Sequence, residues 1–515
     1  MRRLFLLGFL VASAGVGPAW GGEFEFFQPL DPPRQFQLMA HRGEAGQAPE
    51  NTRAALRRCI EDGLEWAEVD VRLTSDGQHL LAHDAEIRGV TNEVWKVAEH
   101  TLAESGSLDV GAAFAKRFAG EHLLALKDCF ELAKGKLNLY LDCKQVDPER
   151  LSHEILEAGM ERQVVVYDRM ENLHRVTQAS GGKVATMAKW RPGEAIEGWR
   201  SSNHLAAVEI DAPDVTPAIT QAFHDAGVRV ESKNLGEWDT PGFWDRVMNA
   251  NVDWIQTDVP EEALARALWR RLPRRPVRIS LHRGANRYAP ENTTPAYEKA
   301  IRMGVDFVEF DVRTTKDGKW YLLHDGNLNR TTDGVGPILD ANSSVVSALS
   351  AGAKFGAPYA GVKVPSLDEF LDVVSGRIEL YFDAKAIAPE ALAAAVQRHG
   401  MAERTVVYQS AAFLKRLKEI DPRIRALPPL RSLAQLDELA NGLKPYAVDA
   451  DWNILSKEMI ERCHQAGILV FSDSLGSHEH IENYLQAIDW GIDLIQTDHP
   501  LRVMRALELW MSKRN

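Results

Sequence analysis

Trp66-Ala67-Glu68-Val69-Asp70-Val71-Arg72 returns as Phe307-Val308-Glu309-Phe310-Asp311-Val312-Arg313, 241 positions further along the chain. In an extended strand, successive side chains leave opposite faces. Glu68 and Asp70 therefore share one face, and Val69 and Val71 turn the other way, toward covering helices. Glu309 and Asp311 repeat the arrangement against Phe310 and Val312. Two neighbouring carboxylates repel each other unless a cation lies between them or one holds a proton. A bound divalent ion is the simplest resolution. A merely solvated pair is the alternative, and recurrence at matched positions argues against it.

Outward from this stretch the same register holds. His41-Arg42-Gly43 recurs as His282-Arg283-Gly284, and Ala48-Pro49-Glu50-Asn51-Thr52 as Ala289-Pro290-Glu291-Asn292-Thr293. Asp76-Gly77 matches Asp317-Gly318, His83-Asp84 matches His324-Asp325, and Asp142 with Lys144 matches Asp383 with Lys385. Ile255-Gln256-Thr257-Asp258 recurs as Ile495-Gln496-Thr497-Asp498 with the offset slipped to 240. The chain is a duplication with a period far too long for a solenoid. One copy runs from about 34 to 272 and the other from about 275 to 511. Pro273 and Pro276 stiffen the connector, to which the cluster Arg270, Arg271, Arg274 and Arg275 is assigned.

Within the first copy, nine segments read as strands: Phe36 to Ala40, Trp66 to Val71, Leu80 to Ala82, Leu137 to Leu141, Val164 to Tyr167, Val184 to Met187, Ala206 to Ile210, Val228 to Glu231 and Trp254 to Thr257. That is one more than an eight-stranded ring needs. Helical spacing lies between them, as over Asn51 to Asp62. Such alternation predicts an α/β fold of two tandem (β/α)8 TIM barrels, with a doubly wound open sheet as the alternative. The unusual polar residues fall at strand C-terminal ends, where barrel active sites sit.

The composition, 45% hydrophobic and 26% charged, is that of a folded soluble protein, and a net charge of −13 excludes nucleic-acid binding through the bulk field. Residues 1–22 read as a secretory signal peptide, with Arg2 and Arg3 before an apolar run from Leu4 to Val16 and small residues after it. The expected protein is exported, periplasmic or secreted, with no membrane span once the leader is removed; an uncleaved anchor is the alternative. Cys59, Cys129, Cys143 and Cys463 lack metal-type spacing and read as small buried residues.

Asp142 and Lys144 share a strand face, as do Asp383 and Lys385. Together, Glu68, Asp70 and Asp142 in one copy, and Glu309, Asp311 and Asp383 in the other, supply three acidic oxygens. Such oxygens suit a hard ion such as Mg²⁺ or Ca²⁺, one per barrel; zinc prefers nitrogen or sulfur. His41 and His83, and likewise His282 and His324, can serve as acid and base near neutral pH. Arg42, Lys144, Arg283 and Lys385 can hold phosphate oxygens.

The second copy resembles the glycerophosphodiester phosphodiesterase family. The resemblance rests on His282, Pro290-Glu291-Asn292-Thr293, Val308 to Val312, Asp317-Gly318, His324-Asp325, Arg330-Thr331-Thr332, Val364-Pro365-Ser366-Leu367 and Thr497-Asp498. It implies a (β/α)8 barrel with a small insertion after the early strands. It also implies hydrolysis of glycerophosphodiesters to glycerol phosphate and an alcohol with Ca²⁺ or Mg²⁺. On this resemblance the paired histidines act as general acid and base, the carboxylates bind metal, and Lys385 stabilises the phosphate. A substrate hydroxyl beside the phosphorus attacks first, and water opens the resulting cyclic phosphate. Both copies carry Asp (Asp142, Asp383) where the family often has Glu, as the related sphingomyelinase D enzymes do. In the first copy Ile87-Arg88-Gly89-Val90-Thr91 replaces Leu328-Asn329-Arg330-Thr331-Thr332, and Leu124 stands in place of Pro365. Altered substrate preference in the first copy is the expectation. The alternatives are a double barrel that captures phosphodiesters without cleaving them, and a lipid-headgroup phosphodiesterase of the sphingomyelinase D type.

Overall fold

Eight parallel strands make the first ring: β1 (Gln37–Ala40), β2 (Trp66–Leu73), β3 (Asn138–Cys143), β4 (Val164–Tyr167), β5 (Ala185–Lys189), β6 (Ala207–Asp211), β7 (Arg229–Asn234) and β8 (Trp254–Thr257). Each pairs with the next in chain order, and β1 pairs with both β8 and β2, which closes the sheet. These assignments come from a computed structural model describing residues 24–90, 94–199 and 205–514; the leader expected at 1–22 lies outside the described residues.

The second ring repeats the first: β9 (Arg278–Leu281), β10 (Phe307–Thr314), β11 (Glu379–Asp383), β12 (Thr405–Tyr408), β13 (Arg425–Leu427, resumed at Pro429–Leu430), β14 (Ala447–Ala450), β15 (Leu469–Asp473) and β16 (Leu494–Thr497). β16 pairs with β9 and β9 with β10. Pro428 and Pro429 have no N–H to give, so the ladder is broken within β13. Tyr446 N donates to Ala426 O (3.1 Å) and Asp449 N to Pro428 O (3.0 Å), carrying the sheet across the break. Closure on both sides rules out the open doubly wound sheet.

The surplus strand candidate is an arm outside the ring. His79–Leu81 runs antiparallel to the end of β2, and Trp320–Leu322 does the same against β10. Two other expectations are corrected. The first helix spans Arg53–Glu61, two residues later than its periodicity suggested, because Asn51 takes a left-handed backbone (φ 57°) and Thr52 caps the helix by accepting from Ala55 N. Arg270 and Arg271 are not in the connector but close the helix Pro260–Arg271; Arg270 pairs with Asp245, and Arg275 with Asp306.

The alternation read from the sequence sets the layers. On β2 the inward face rises through Trp66, Glu68 and Asp70, apolar at the base and acidic at the mouth. Phe26 plugs the base, its ring 5.2 Å from both Trp66 and Trp254. In the second ring Phe307, Tyr381, Phe471 and Leu494 fill the same level. The outward faces, with Val69, Val71, Phe310 and Val312, join the helices in one apolar layer that runs through both barrels. All four cysteines are free and buried. Among the described residues, no helix is long and apolar enough to cross a membrane.

The barrels are pinned together by buried charge. Lys299 Nζ lies 2.5 Å from Glu261 and 2.6 Å from Glu262, with all three side chains at most 8% exposed. Arg287 and Tyr288 of the second copy both reach Asp62 of the first. Arg34 joins Glu65 (2.8 Å) to Glu508 of the last helix (2.9 Å), and Arg505 donates to the carbonyls of Asp31 and Pro32.

Candidate active sites

Gly43 and Gly284 make the turn that follows β1 and β9. Both have positive φ (75° and 77°), and a Cβ on either would stand 2.9 Å from the Cβ of Ala55 or Ala296 on the following helix. Only glycine fits so close to that helix. The turn also puts Arg42 and Arg283 at φ 56°. Their main-chain N–H groups then donate to Glu68 Oε2 and Glu309 Oε2, 2.7 Å in each copy. Non-glycine residues held at positive φ cost energy and concentrate at functional sites.

The three carboxylates of each copy meet at the mouth. Oxygens of Glu68, Asp70 and Asp142 lie within 4.8 Å of one another, as do those of Glu309, Asp311 and Asp383. Burial first, and then the charges of Asp70 and Asp142, push the Glu68 carboxyl well above its usual range; burial, Asp311 and Asp383 do the same to Glu309. Asp70 Oδ1 is buried and accepts no hydrogen bond, although Lys144 Nζ is 3.2 Å away. Lys144 instead donates to Asp142 (2.6 Å), and Lys385 donates to Asp383 (2.5 Å). Burial works against both ammonium groups, but the adjacent aspartates outweigh it and hold them raised. Three clustered carboxylate oxygens, arranged alike in both copies, fit a hard divalent cation.

The histidines are oriented by carboxylates. His41 Nδ1 is 2.7 Å from Asp258, and His282 Nδ1 is 2.9 Å from Asp498. His83 Nδ1 is 2.8 Å from Asp84, and His324 Nδ1 is 2.7 Å from Asp325. A carboxylate at Nδ1 keeps the proton there, which leaves Nε2 to exchange protons at the mouth. His41 Nε2 lies 4.0 Å from Glu68. His83 and His324 follow the antiparallel arm rather than a ring strand. Arg72 and Arg313 hold that arm by gripping the carbonyls of His83 and His324 through Nε and Nη2.

Every residue picked from the sequence as a site candidate is at one of the two mouths. The residues that position them were missed. Asn51 and Asn292, both left-handed, donate Nδ2 to Asp70 and Asp311 and accept from the same residues' main-chain N–H. Glu50 and Glu291 hold Arg42 and Arg283. These residues lie inside the repeated Ala-Pro-Glu-Asn-Thr motif, so the repeat itself was the available signal. Asp76 and Asp317, also repeated, anchor a neighbouring turn: they accept from Leu102 N and Ser343 N.

The copies differ where the sequence suggested. Arg330 forks onto Glu291 (2.6 and 2.8 Å) and Asp325 (2.8 and 3.1 Å), locking the second mouth. Gly89 stands at its place in the first copy, where Glu50 and Asp84 are 47% and 74% exposed against 19% and 25% for Glu291 and Asp325. Leu124, by contrast, changes little: its carbonyl accepts from Leu81 N (2.8 Å) as that of Pro365 does from Leu322 N (3.0 Å).

A closed (β/α)8 barrel with carboxylates, paired histidines and basic side chains at its mouth is present twice, the frame of a phosphodiester hydrolase. The family model of the glycerophosphoryl diester phosphodiesterase family matches residues 41–176 and 282–502, and the chain belongs to that family. A glycerophosphodiester phosphodiesterase of Bacillus subtilis (strain 168) is 30% identical over 244 residues, covering 42% of this chain and 82% of the relative. One from Caldanaerobacter subterraneus subsp. tengcongensis is 28% identical over 231 residues, 43% of this chain and 94% of the relative. The crystal structure of a glycerophosphodiester phosphodiesterase from Agrobacterium tumefaciens str. C58 covers 44% of this chain and 99% of its own, with 30% identity and a TM-score of 0.42.

Proposed function

We propose that each barrel is an independent, metal-dependent glycerophosphodiester hydrolase, and that the chain works outside the cytoplasm after export. The observation that carries the reading is the cluster of three carboxylates built twice at matched positions. Glu68, Asp70 and Asp142, or Glu309, Asp311 and Asp383, would hold Ca²⁺ or Mg²⁺. When bound, the ion polarises the phosphoryl oxygens and offsets the charge that develops on them.

The chain's own residues supply the rest. Arg42 with Lys144, and Arg283 with Lys385, draw the phosphate to the mouth through charge-assisted donors. Nε2 of one histidine takes the proton of the attacking hydroxyl, while the other, protonated, gives its proton to the leaving alcohol oxygen. Exchange of these roles then lets water open the cyclic ester, returning both rings to their starting states. Asp258 and Asp84, or Asp498 and Asp325, hold each ring in position throughout. A binding module has no use for four oriented proton carriers, which argues against the non-hydrolytic alternative. The looser first mouth fits a different alcohol preference.

Glu68→Gln and Glu309→Gln, singly and together, test this on a panel of glycerophosphodiesters. Each single variant is expected to lose one part of the substrate range, and the double variant or a chelator to lose all turnover. Activity that survives chelation would remove the metal from the reading, and activity in the double variant would remove both sites.

A further inference from the structure

The insertion that follows the arm in each copy is the same fold used twice. A Cβ on Gly111 would fall 1.8 Å from Phe118 O, and one on Gly352 falls 1.8 Å from Tyr359 O, so both loops turn back on themselves at matched glycines. The two insertions pack against each other. Phe114 Cε1 is 3.3 Å from where a Cβ on Gly356 would sit, and the Arg117 guanidinium lies over the Phe355 ring, 4.1 Å from its centroid. Arg117 is particular to the first copy, because the second has Pro358 at the matching position.

Beneath this contact is a pocket of about 270 Å³ lined by Arg117, Asn286, Glu291, Arg330, Lys354 and Phe355, among others. It adjoins the second active site through two residues. Glu291 holds Arg283 (3.0 Å), and Asn286 donates to Asp498, the partner of His282. Of its three cations, Arg330 is committed to Glu291 and Asp325, and Lys354 donates to the carbonyl of Asn329. Arg117 is exposed and, among the described residues, has no hydrogen-bond or ion-pair partner. A guanidinium fixed by ring stacking, with its N–H edge free, is suited to a carboxylate or phosphate.

We propose that the first barrel lends Arg117 to the second active site as a specificity residue, favouring glycerophosphodiesters whose alcohol carries a further negative charge. The inference rests on the second barrel being a phosphodiesterase. A carboxylate and a second phosphate offer the same chemistry, so both are tested. The parent protein carries Glu68→Gln, which confines turnover to the second barrel. Glycerophosphoserine and bis(glycerophospho)glycerol are compared with glycerophosphoethanolamine, which differs from the first by one carboxylate.

Arg117→Ala is expected to lower the kcat/KM ratio of each anionic substrate to the ethanolamine substrate about tenfold, mostly through KM, as expected when one charge-assisted pair is lost. Arg117→Lys, which keeps the charge, is expected to restore part of the ratio. A fall confined to one of the two anionic substrates identifies that group as the ligand and supports the proposal. An unchanged ratio, whether both activities drop together or neither moves, overturns it and leaves Arg117 as an interface residue. If the parent protein cleaves none of the three, the hydrolase reading of the second barrel fails first, before any Arg117 variant is compared.

Discussion

Asn292 joins backbone strain to carboxylate placement, and the two can be separated by substitution. It is buried, sits at φ 56°, donates to Asp311 Oδ2 (2.9 Å), and accepts from Asp311 N (3.2 Å) and from the Tyr297 hydroxyl (2.9 Å). Asn292→Gly removes every side-chain bond but keeps the φ value free of strain. A hydrogen bond to a charged group is worth about 1.5–3 kcal/mol, and a buried hydroxyl left unpaired costs about 1–3 kcal/mol, so a loss of about 3–5 kcal/mol is expected. Asn292→Ala loses the same bonds and adds a Cβ in the left-handed region, costing about 1–2 kcal/mol. Of this, about 0.5–1 kcal/mol is regained, because an unfolded chain with alanine has less backbone freedom than one with glycine. The alanine variant should therefore be about 0.5–1 kcal/mol less stable than the glycine variant in urea unfolding. Both should lose second-site turnover in the Glu68→Gln background, because Asp311 is no longer held in place. Equal stability of the two variants, or a glycine variant more unstable than the alanine one, refutes the backbone part. Unimpaired turnover in both refutes Asn292 as the residue that positions Asp311.

Lys299→Met leaves Glu261 and Glu262 buried without their shared cation, although Arg302 still reaches Glu262. A loss of about 3–5 kcal/mol is expected from urea unfolding. Most of it should return in Lys299→Met with Glu261→Gln, and a loss below about 1 kcal/mol contradicts the role given to this pair. Arg330→Ala frees Glu291 and Asp325, and should lower second-site kcat/KM about tenfold while leaving the first site untouched; comparable losses at both sites would contradict the local assignment. Asp239, against β8, is pushed up to about 6 by burial, although Thr257, the main chain of Asp258 and Trp244 all donate to it. Between pH 4 and 6 the unfolded chain gives up this proton while the folded one keeps it, so stability falls as pH rises through that window. Asp239→Asn should flatten the fall, as followed by urea midpoints across pH, and an unchanged slope would exclude Asp239 as its source.

The ring strands were legible because their two faces differ in chemistry. Glu68 and Asp70 could be placed together from β2 alone, and meeting Asp142 follows from the parallel register Asp70↔Asp142. Leu80 to Ala82 could not be told apart from a ring strand, because three apolar residues in a row do not reveal their direction; the arm runs antiparallel to β2. Asn51 read as helical because its neighbours are; its left-handed turn is held by bonds to the Arg42 carbonyl and to Asp70, contacts local spacing does not encode. Arg117 was invisible for a different reason. Its value depends on which loop of the other copy it faces, and a repeat shows what is shared rather than what has diverged.

The tie from Arg34 to Glu508 spans 474 positions and links the first turns of the folded chain to its last helix. It can form only after both barrels have been synthesised, since Glu508 follows Arg34 by 474 residues. A first barrel released early would carry Arg34 and Glu65 with their third partner missing, and Arg505 would have no Asp31 or Pro32 carbonyl to grip. The gene records two ancestral copies; the folded protein joins the start of one to the close of the other, and loss of the helix carrying Arg505 and Glu508 would be felt near Arg34, far away in sequence.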